Sequence, residues 1–166
     1  MTIKQIFPKF SDSARIWCYG FSHTLTAEQR GIVERKLTEF LSTWNSHGTS
    51  VNGDGMVIYN TFVMLAVDPF DSVSGCSIDS SVRMLKDLKH LHQLDALNQA
   101  LIHYREASQI LSAVREDFQS LIQSGKLGLK TTVFNNTITN LGEVRGGDWE
   151  VPLRDSWHAR AFQMSA

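Results

Sequence analysis

A cysteine directly before a helix-like run is the first feature of the sequence that could do chemistry. Cys76 lies in "SGCSIDSS", and the apolar periodicity that follows predicts a helix from Asp79 to about His92. The free N–H groups and positive dipole end of a helix stabilise a thiolate, lowering the pKa of a thiol below its usual value of about 8.5. One hypothesis is therefore an enzyme with Cys76 as its nucleophile.

A thiol nucleophile also needs a base, and the C-terminal "WEVPLRDSWHAR" contains one. We expect His158 to accept the proton, with Asp155 holding the imidazole in the orientation that this transfer needs. His47 is the spare candidate for the same role. The alternative for this segment is a tail that packs on a sheet through its tryptophans while its charges stay in water.

A structural interpretation of Cys76 competes with the catalytic one, and the sequence favours it. Ser77 or Asp79 would cap the helix, Gly75 would make the turn, and the cysteine would pack as a small apolar residue. The leading functional hypothesis is then a non-catalytic domain that binds a protein partner or a small ligand. Its expected surface combines the 70–79 loop with "FNN" at 134–136 and the C-terminal segment. The candidate ligand-binding residues are Ser77, Asp79, Asn135, Asn136, Arg154 and Trp157.

Several kinds of site are not expected from the motifs. The sequence has neither G-x-x-x-x-G-K-[ST] nor G-x-G-x-x-G, so hydrolysis of nucleotides by a P-loop mechanism is excluded. His90 and His92 are two residues apart and would point in different directions on a helix. We expect no metal site and no cofactor, since zinc sites take three or four Cys or His ligands at short spacings.

Composition narrows the class of protein further. The chain has 166 residues, a formal net charge of −1 and two cysteines. Such a charge balance argues against binding of duplex nucleic acid, and two distant cysteines do not make a disulfide framework. The N-terminus has no apolar signal-peptide core, and "TFVMLAV" is far shorter than the ~20 residues of a transmembrane helix. We expect a single cytoplasmic domain over 1–166 that does not contact a membrane. A homo-oligomer is compatible with the sequence.

Periodicity predicts the first elements. "RIWCYGF" reads as a strand covered on both faces, with Ile16 and Cys18 on one side and its aromatic residues on the other. A helix over 26–45 begins with the capping-box spacing of Thr26 and Gln29. The segment 56–68 is strand-like, either as two strands joined by a tight turn at "YNT" or as one long strand with a bulge.

The second half of the chain leaves one ambiguity. Residues 95–124 fit one long amphipathic helix, or a hairpin turning at Glu106–Ala107 followed by a short helix through Phe118. "TTVFNNTITN" is a further strand. Because strands and helices mix without a βα repeat, the predicted class is α+β. We expect one antiparallel or mixed sheet that includes 15–21, 56–67 and 131–139, with helices 26–45 and 79–92 packed on it.

Four segments together, "SDSARIW", "SGCSIDSSV", "TVFNN" and "WEVPLRDSWH", resemble a family of small uncharacterised bacterial proteins often labelled "ABC transporter ATPase". The resemblance spans nearly the whole chain. It implies a single compact α+β domain, and two strands around a polar turn at 100–112, which favours the hairpin. The ATPase label itself has no support here, because the chain has no Walker A loop and no acidic residue placed for the metal. The family contributes no functional residue.

Overall fold

The computed structural model describes residues 3–46, 48–71 and 75–164, and in these ranges the chain has an α+β fold. The strands are β1 (Arg15–Gly20), β2 (Asn45–Ser46), β3 (Thr49–Ser50), β4 (Gly53–Ile58), β5 (Phe62–Val67), β6 (Ile102–Glu106), β7 (Gln109–Ala113), β8 (Thr132–Phe134) and β9 (Glu150–Pro152). The α-helices are α1 (Ala27–Thr43), α2 (Gly75–His92), α3 (Arg115–Gln123), α4 (Leu141–Gly146) and α5 (Trp157–Ala161). Single 3-10 turns occupy Ile3–Gln5 and Leu153–Asp155.

The first sheet is built around β5, in the antiparallel order β1-β5-β4. Every residue of β5 is buried, because "FVMLAV" is apolar on both faces and both faces are covered. Tyr59 and Asn60 both have φ of 53°, and the Thr61 N–H bonds the Ile58 carbonyl, so a tight turn joins β4 to β5. The two-strand interpretation of 56–68 is therefore confirmed.

Helices α1 and α2 cover one face of this sheet. The Thr26 hydroxyl accepts from the Gln29 N–H at 3.2 Å and the Gln29 side chain accepts from the Thr26 N–H at 2.9 Å, which confirms the predicted capping box. Helix α2 starts at Gly75 rather than at Asp79, so the predicted start was wrong by one turn. Leu85 and Leu88 of this helix are buried, whereas Leu91 is 68% exposed near its end.

The second sheet has the antiparallel order β7-β6-β8-β9. The hairpin of β6 and β7 with helix α3 after it confirms the second interpretation of 95–124. One predicted feature is wrong: the strand at 131–139 is not in the sheet of 15–21 and 56–67. It belongs to this second sheet and ends at Phe134, because Asn135 makes a turn in which its carbonyl accepts from the Ile138 N–H at 3.5 Å.

Three apolar clusters hold these layers together. One lies between the first sheet and helices α1 and α2, and a second lies on the opposite face of that sheet, with Trp149 at its centre. The third lies between the second sheet and helices α3 and α5. Ile16 and Cys18 contact the second cluster while Trp17 and Tyr19 contact the first, which is the alternation expected for β1.

In the described part of the chain, no helix combines the length and the apolar character that crossing a membrane requires.

Candidate functional site

A cleft of about 710 Å³ runs along the outer edge of β1. We call it the β1 cleft. Its apolar lining includes Trp17, Ile78, Val82, Leu97, Leu101 and Ile138. The first turns of α2 supply one side, the segment before β6 the next, and the segment after β8 the third. The volume is that of a pocket for a small organic molecule, and such pockets combine apolar walls with a few placed polar groups.

The floor of the cleft is a chain of hydrogen bonds centred on the side-chain amide of Asn136. Its oxygen accepts from the Trp149 indole N–H at 3.1 Å and from the Cys18 thiol at 3.3 Å. Its nitrogen lies 3.4 Å from His103 Nδ1. We call these four residues the amide network. It joins β1, β6, the turn after β8 and the residue directly before β9 at one point.

The partners of His103 determine its tautomer. Its Nε2 lies 2.9 Å from the Phe21 carbonyl, which can only accept, so Nε2 carries the proton. Nδ1 is then a lone pair, and it accepts from the Asn136 amide. Burial is the larger influence on this ring and lowers the pKa of His103, while the bond to Phe21 raises it. A neutral imidazole matches both contacts.

Cys18 is a thiol donor in this network and not a nucleophile. Burial raises the pKa of the Cys18 thiol well above its ordinary value, against a smaller lowering effect of Trp149. Its sulfur bonds the amide of Asn136 rather than an imidazole. A catalytic cysteine instead needs a base in contact with its sulfur and an environment that favours the thiolate. The network is therefore neutral and structural in character.

His158 also lines the cleft, at the start of α5. The ring is 2% exposed and lies 3.8 Å from the Trp157 ring, centroid to centroid. Its Nδ1 is closed off from solvent and has no hydrogen-bond partner in the described part of the chain. A buried N–H without a partner is rarer in proteins than an acceptor without one, so we place the proton on Nε2. Burial lowers the pKa of His158 to about 4, so the ring is neutral at pH 7.

The predicted pairing of Asp155 with His158 is wrong. Asp155 instead contacts Arg154, whose Nε lies 3.3 Å from its carboxylate, and both side chains are exposed. The 3-10 turn Leu153–Asp155 directs them to solvent, while α5 directs His158 inward. Neither Arg154 nor Asp155 lines the cleft. A buried imidazole without a carboxylate partner is a poor general base.

Of the remaining candidates, some line the β1 cleft and others lie beside it or outside it. Asn136, Trp157 and His158 come together in the β1 cleft, as does α2 through Ile78 and Val82. Asn135 supports the rim, because its side-chain oxygen accepts from the Trp157 indole N–H at 3.1 Å and from the Thr137 hydroxyl at 2.6 Å. Asp79 is exposed on α2 and lies outside the cleft.

The structure leaves the cysteine hypothesis of α2 largely untested. Cys76 and Ser77 lie in the first turn of α2, but their side chains are outside the described part of the structure, as is the whole of His47. Because α2 starts at Gly75, Cys76 lies within the first turn of the helix, whereas the sequence predicted that it would precede the helix.

Three residues of the site were not among the candidates from the sequence: Arg15, Cys18 and His103. The strand alternation did place Cys18 on the same face as Ile16, but it could not name a partner for the thiol. For His103, one signal was available. It alternates with Ile102 and Tyr104 in β6, and a histidine at an alternate strand position is buried when both faces of the sheet are covered.

A second cavity, of about 810 Å³, lies between the β4–β5 turn and the β6–β7 hairpin. Its two guanidinium groups already have partners. Arg30 forms an ion pair with Glu34 at 2.7 Å and donates to the Asn60 side-chain oxygen at 2.7 Å. Arg105 forms an ion pair with Glu150, and its guanidinium group also stacks on the Tyr59 ring. Because carboxylate partners neutralise both guanidinium groups, neither is free to bind a ligand, and we consider the β1 cleft the better candidate site.

Comparisons of the chain with known protein families, with curated proteins and with solved structures gave no match.

Proposed function

We propose that the protein is a non-catalytic binding domain that takes a small organic ligand in the β1 cleft. The observation that carries this proposal is the cleft itself: about 710 Å³ of space with apolar walls and with polar side chains on its surface, among them Arg15, Asn136 and His158. Pockets of this size and lining are the usual place for a small molecule. The cleft also includes three residues that the sequence offered as candidates, Asn136, Trp157 and His158.

A small ligand fits the site better than a peptide strand. Antiparallel alternation directs the N–H and carbonyl groups of Ile16, Cys18 and Gly20 away from β5, toward the cleft. The Ile16 N–H is already bonded to the Thr139 carbonyl at 2.9 Å, and Arg15 forms an antiparallel bridge with Asn140. The edge of β1 is therefore covered where an added strand would have to pair.

The enzyme alternative with Cys76 and His158 receives no support from the described residues. His158 is neutral, closed off at Nδ1 and without a carboxylate to orient it. Cys18, the thiol that does line the cleft, is held in its protonated form. We therefore propose binding rather than catalysis.

Titration with N-phenyl-1-naphthylamine, a neutral apolar dye whose fluorescence rises in apolar surroundings, tests the proposal. We expect saturable binding to one site in the parent protein. Val82→Trp should weaken that binding at least about tenfold, because the larger side chain occupies the cleft. Leu91→Trp on the same helix is the control and should bind like the parent, since Leu91 is outside the cleft.

Thermal melts of both variants establish that each is folded before the titration. The proposal fails if the parent shows no saturable dye binding, or if the folded Val82→Trp variant binds the dye as tightly as the parent.

A further inference from the structure

Three polar side chains of the β1 cleft, those of Arg15, Asn136 and His158, can present hydrogen-bond donors to a ligand. The Asn136 oxygen is occupied by Trp149 and Cys18, whereas its nitrogen has a second N–H beyond the one used on His103. His158 has a proton on Nε2, for the reason given above. Arg15 contributes only donors, as every guanidinium does. A ligand that satisfies these groups must present acceptor atoms.

Arg15 adds a charge that the cleft does not balance. It is exposed at one end of β1, with its guanidinium carbon 4.7 Å above the centre of the Trp17 ring. Within the described ranges no carboxylate lies within ion-pair distance of it, and no Asp or Glu lines the cleft. An anion is therefore favoured at this end, and a cationic ligand is disfavoured.

An apolar surface next to Arg15 suits the uncharged part of a ligand. Trp17, Val82 and Leu101 are apolar, and they line the cleft together with Arg15. Stacking on Trp17 holds the guanidinium group against an apolar surface, where it keeps its fork of donors for a planar partner. A carboxylate matches that fork with two parallel hydrogen bonds.

We propose that the ligand of the β1 cleft is a small organic monocarboxylate, with its carboxylate at Arg15 and its apolar body against Trp17, Val82 and Leu101. This inference rests on the proposed binding function and adds the chemical class of the ligand. The carboxylate belongs to a free small molecule and not to the end of a peptide chain, because the segment at Thr139 and Asn140 already pairs with the edge of β1 that an extended chain would need.

Three compounds with the same ring test this class: 2-naphthoate, 2-naphthalenemethanol and 2-naphthylmethylammonium. Their dissociation constants are measured by displacement of N-phenyl-1-naphthylamine at low ionic strength, where an exposed charge is least screened. We expect 2-naphthoate to bind about tenfold more tightly than the alcohol, because one charge-assisted contact replaces a neutral one. The ammonium compound should bind most weakly.

Substitution of Arg15 assigns the preference to one residue. Arg15→Gln should bind the acid and the alcohol with equal affinity, and Arg15→Lys should recover part of the preference for the acid. Arg35→Gln, on the exposed surface of α1, is the matched control and should keep the full preference.

The possible failures are distinct. If the dye binds the cleft but the acid and the alcohol bind equally to the parent, the carboxylate class is wrong and the binding function stands. A preference for the acid that survives Arg15→Gln overturns the role of Arg15. Tighter binding of the tripeptide Leu-Val-Ala than of 2-naphthoate overturns the assignment to a free small molecule. If neither the dye nor the three compounds bind, both proposals fail.

Discussion

Asn136 is the residue on which most of the polar interior near the β1 cleft depends. Its amide is the common partner of a tryptophan indole directly before β9, a thiol of β1 and an imidazole of β6. In a low-dielectric interior each of these groups would be costly to leave without a partner. Asn136 thus holds together both the fold and the floor of the site.

Replacement of this amide should destabilise the protein strongly. Asn136→Ala leaves the buried Trp149 N–H, the Cys18 thiol and His103 Nδ1 without their partner, so we expect the free energy of unfolding to fall by about 3 kcal/mol. Asn135→Ala is the neighbouring control. Its partners, Thr137 and Trp157, are exposed and can turn to water, so we expect a loss of about 1 kcal/mol or less. Urea denaturation measures both, and equal losses would contradict the central role of Asn136.

At the scale of elements, the hairpin of β6 and β7 shows how a turn can form against local preference. Glu106 pairs with Gln109, so Ala107 and Ser108 form a two-residue loop, and Ala107 has φ of 52°. Two-residue hairpins require positive φ because that twist matches the strands, and glycine or asparagine usually supplies it. Here the cross-strand packing of the hairpin imposes it on an alanine.

Relief of that strain should stabilise the protein. Ala107→Gly removes the steric cost of a positive φ, and we expect the free energy of unfolding to rise by about 1 kcal/mol even after the entropy lost by glycine. Ala100→Gly is the matched control, since Ala100 is also exposed in a turn but is not among the residues with positive φ. It should leave stability unchanged or lower it. Thermal unfolding of both variants distinguishes these outcomes, and a destabilised Ala107→Gly would show that the turn is not strained.

At the scale of the whole molecule, the two larger sheets meet where β6 passes the edge of β1. His103 reaches across this junction to the Phe21 carbonyl, and its ring lies 4.9 Å from that of Phe62, centroid to centroid. The close approach is possible only because Gly20 has no side chain, as a methyl group there would overlap the imidazole. The junction also forms the end of the β1 cleft.

A methyl group at the junction should therefore push the sheets apart. Gly20→Ala is expected to lower the free energy of unfolding by about 3 kcal/mol, the upper range for overpacking of a filled interior. Gly31 lies on the exposed face of α1, where a methyl group meets no atom within 4 Å. Gly31→Ala should instead raise the free energy of unfolding by about 1 kcal/mol, because alanine favours the helix. Chemical denaturation should therefore show a lower free energy of unfolding for Gly20→Ala and a higher one for Gly31→Ala. A neutral Gly20→Ala would mean that the sheets can separate without cost.

Local patterns in the sequence determined the class of fold and most of its elements. The Thr26–Gln29 capping box, the alternation of β1 and the hairpin of β6 and β7 depend on neighbours within a few residues, and each is present in the structure, with the hairpin loop at Ala107–Ser108, one residue later than predicted. The family resemblance, the cytoplasmic location and the binding function stay predictions, because they concern relationships outside the chain.

Only the tertiary structure decided which side chains share a site. Cys18 and Asn136 are 118 residues apart in the chain, and no local pattern could show that they touch. Conversely, Asp155 and His158 are neighbours in sequence but point to opposite sides of the chain, one to solvent and one inward. Adjacency in sequence constrains the backbone path, whereas contact between side chains depends on how the sheets and helices pack.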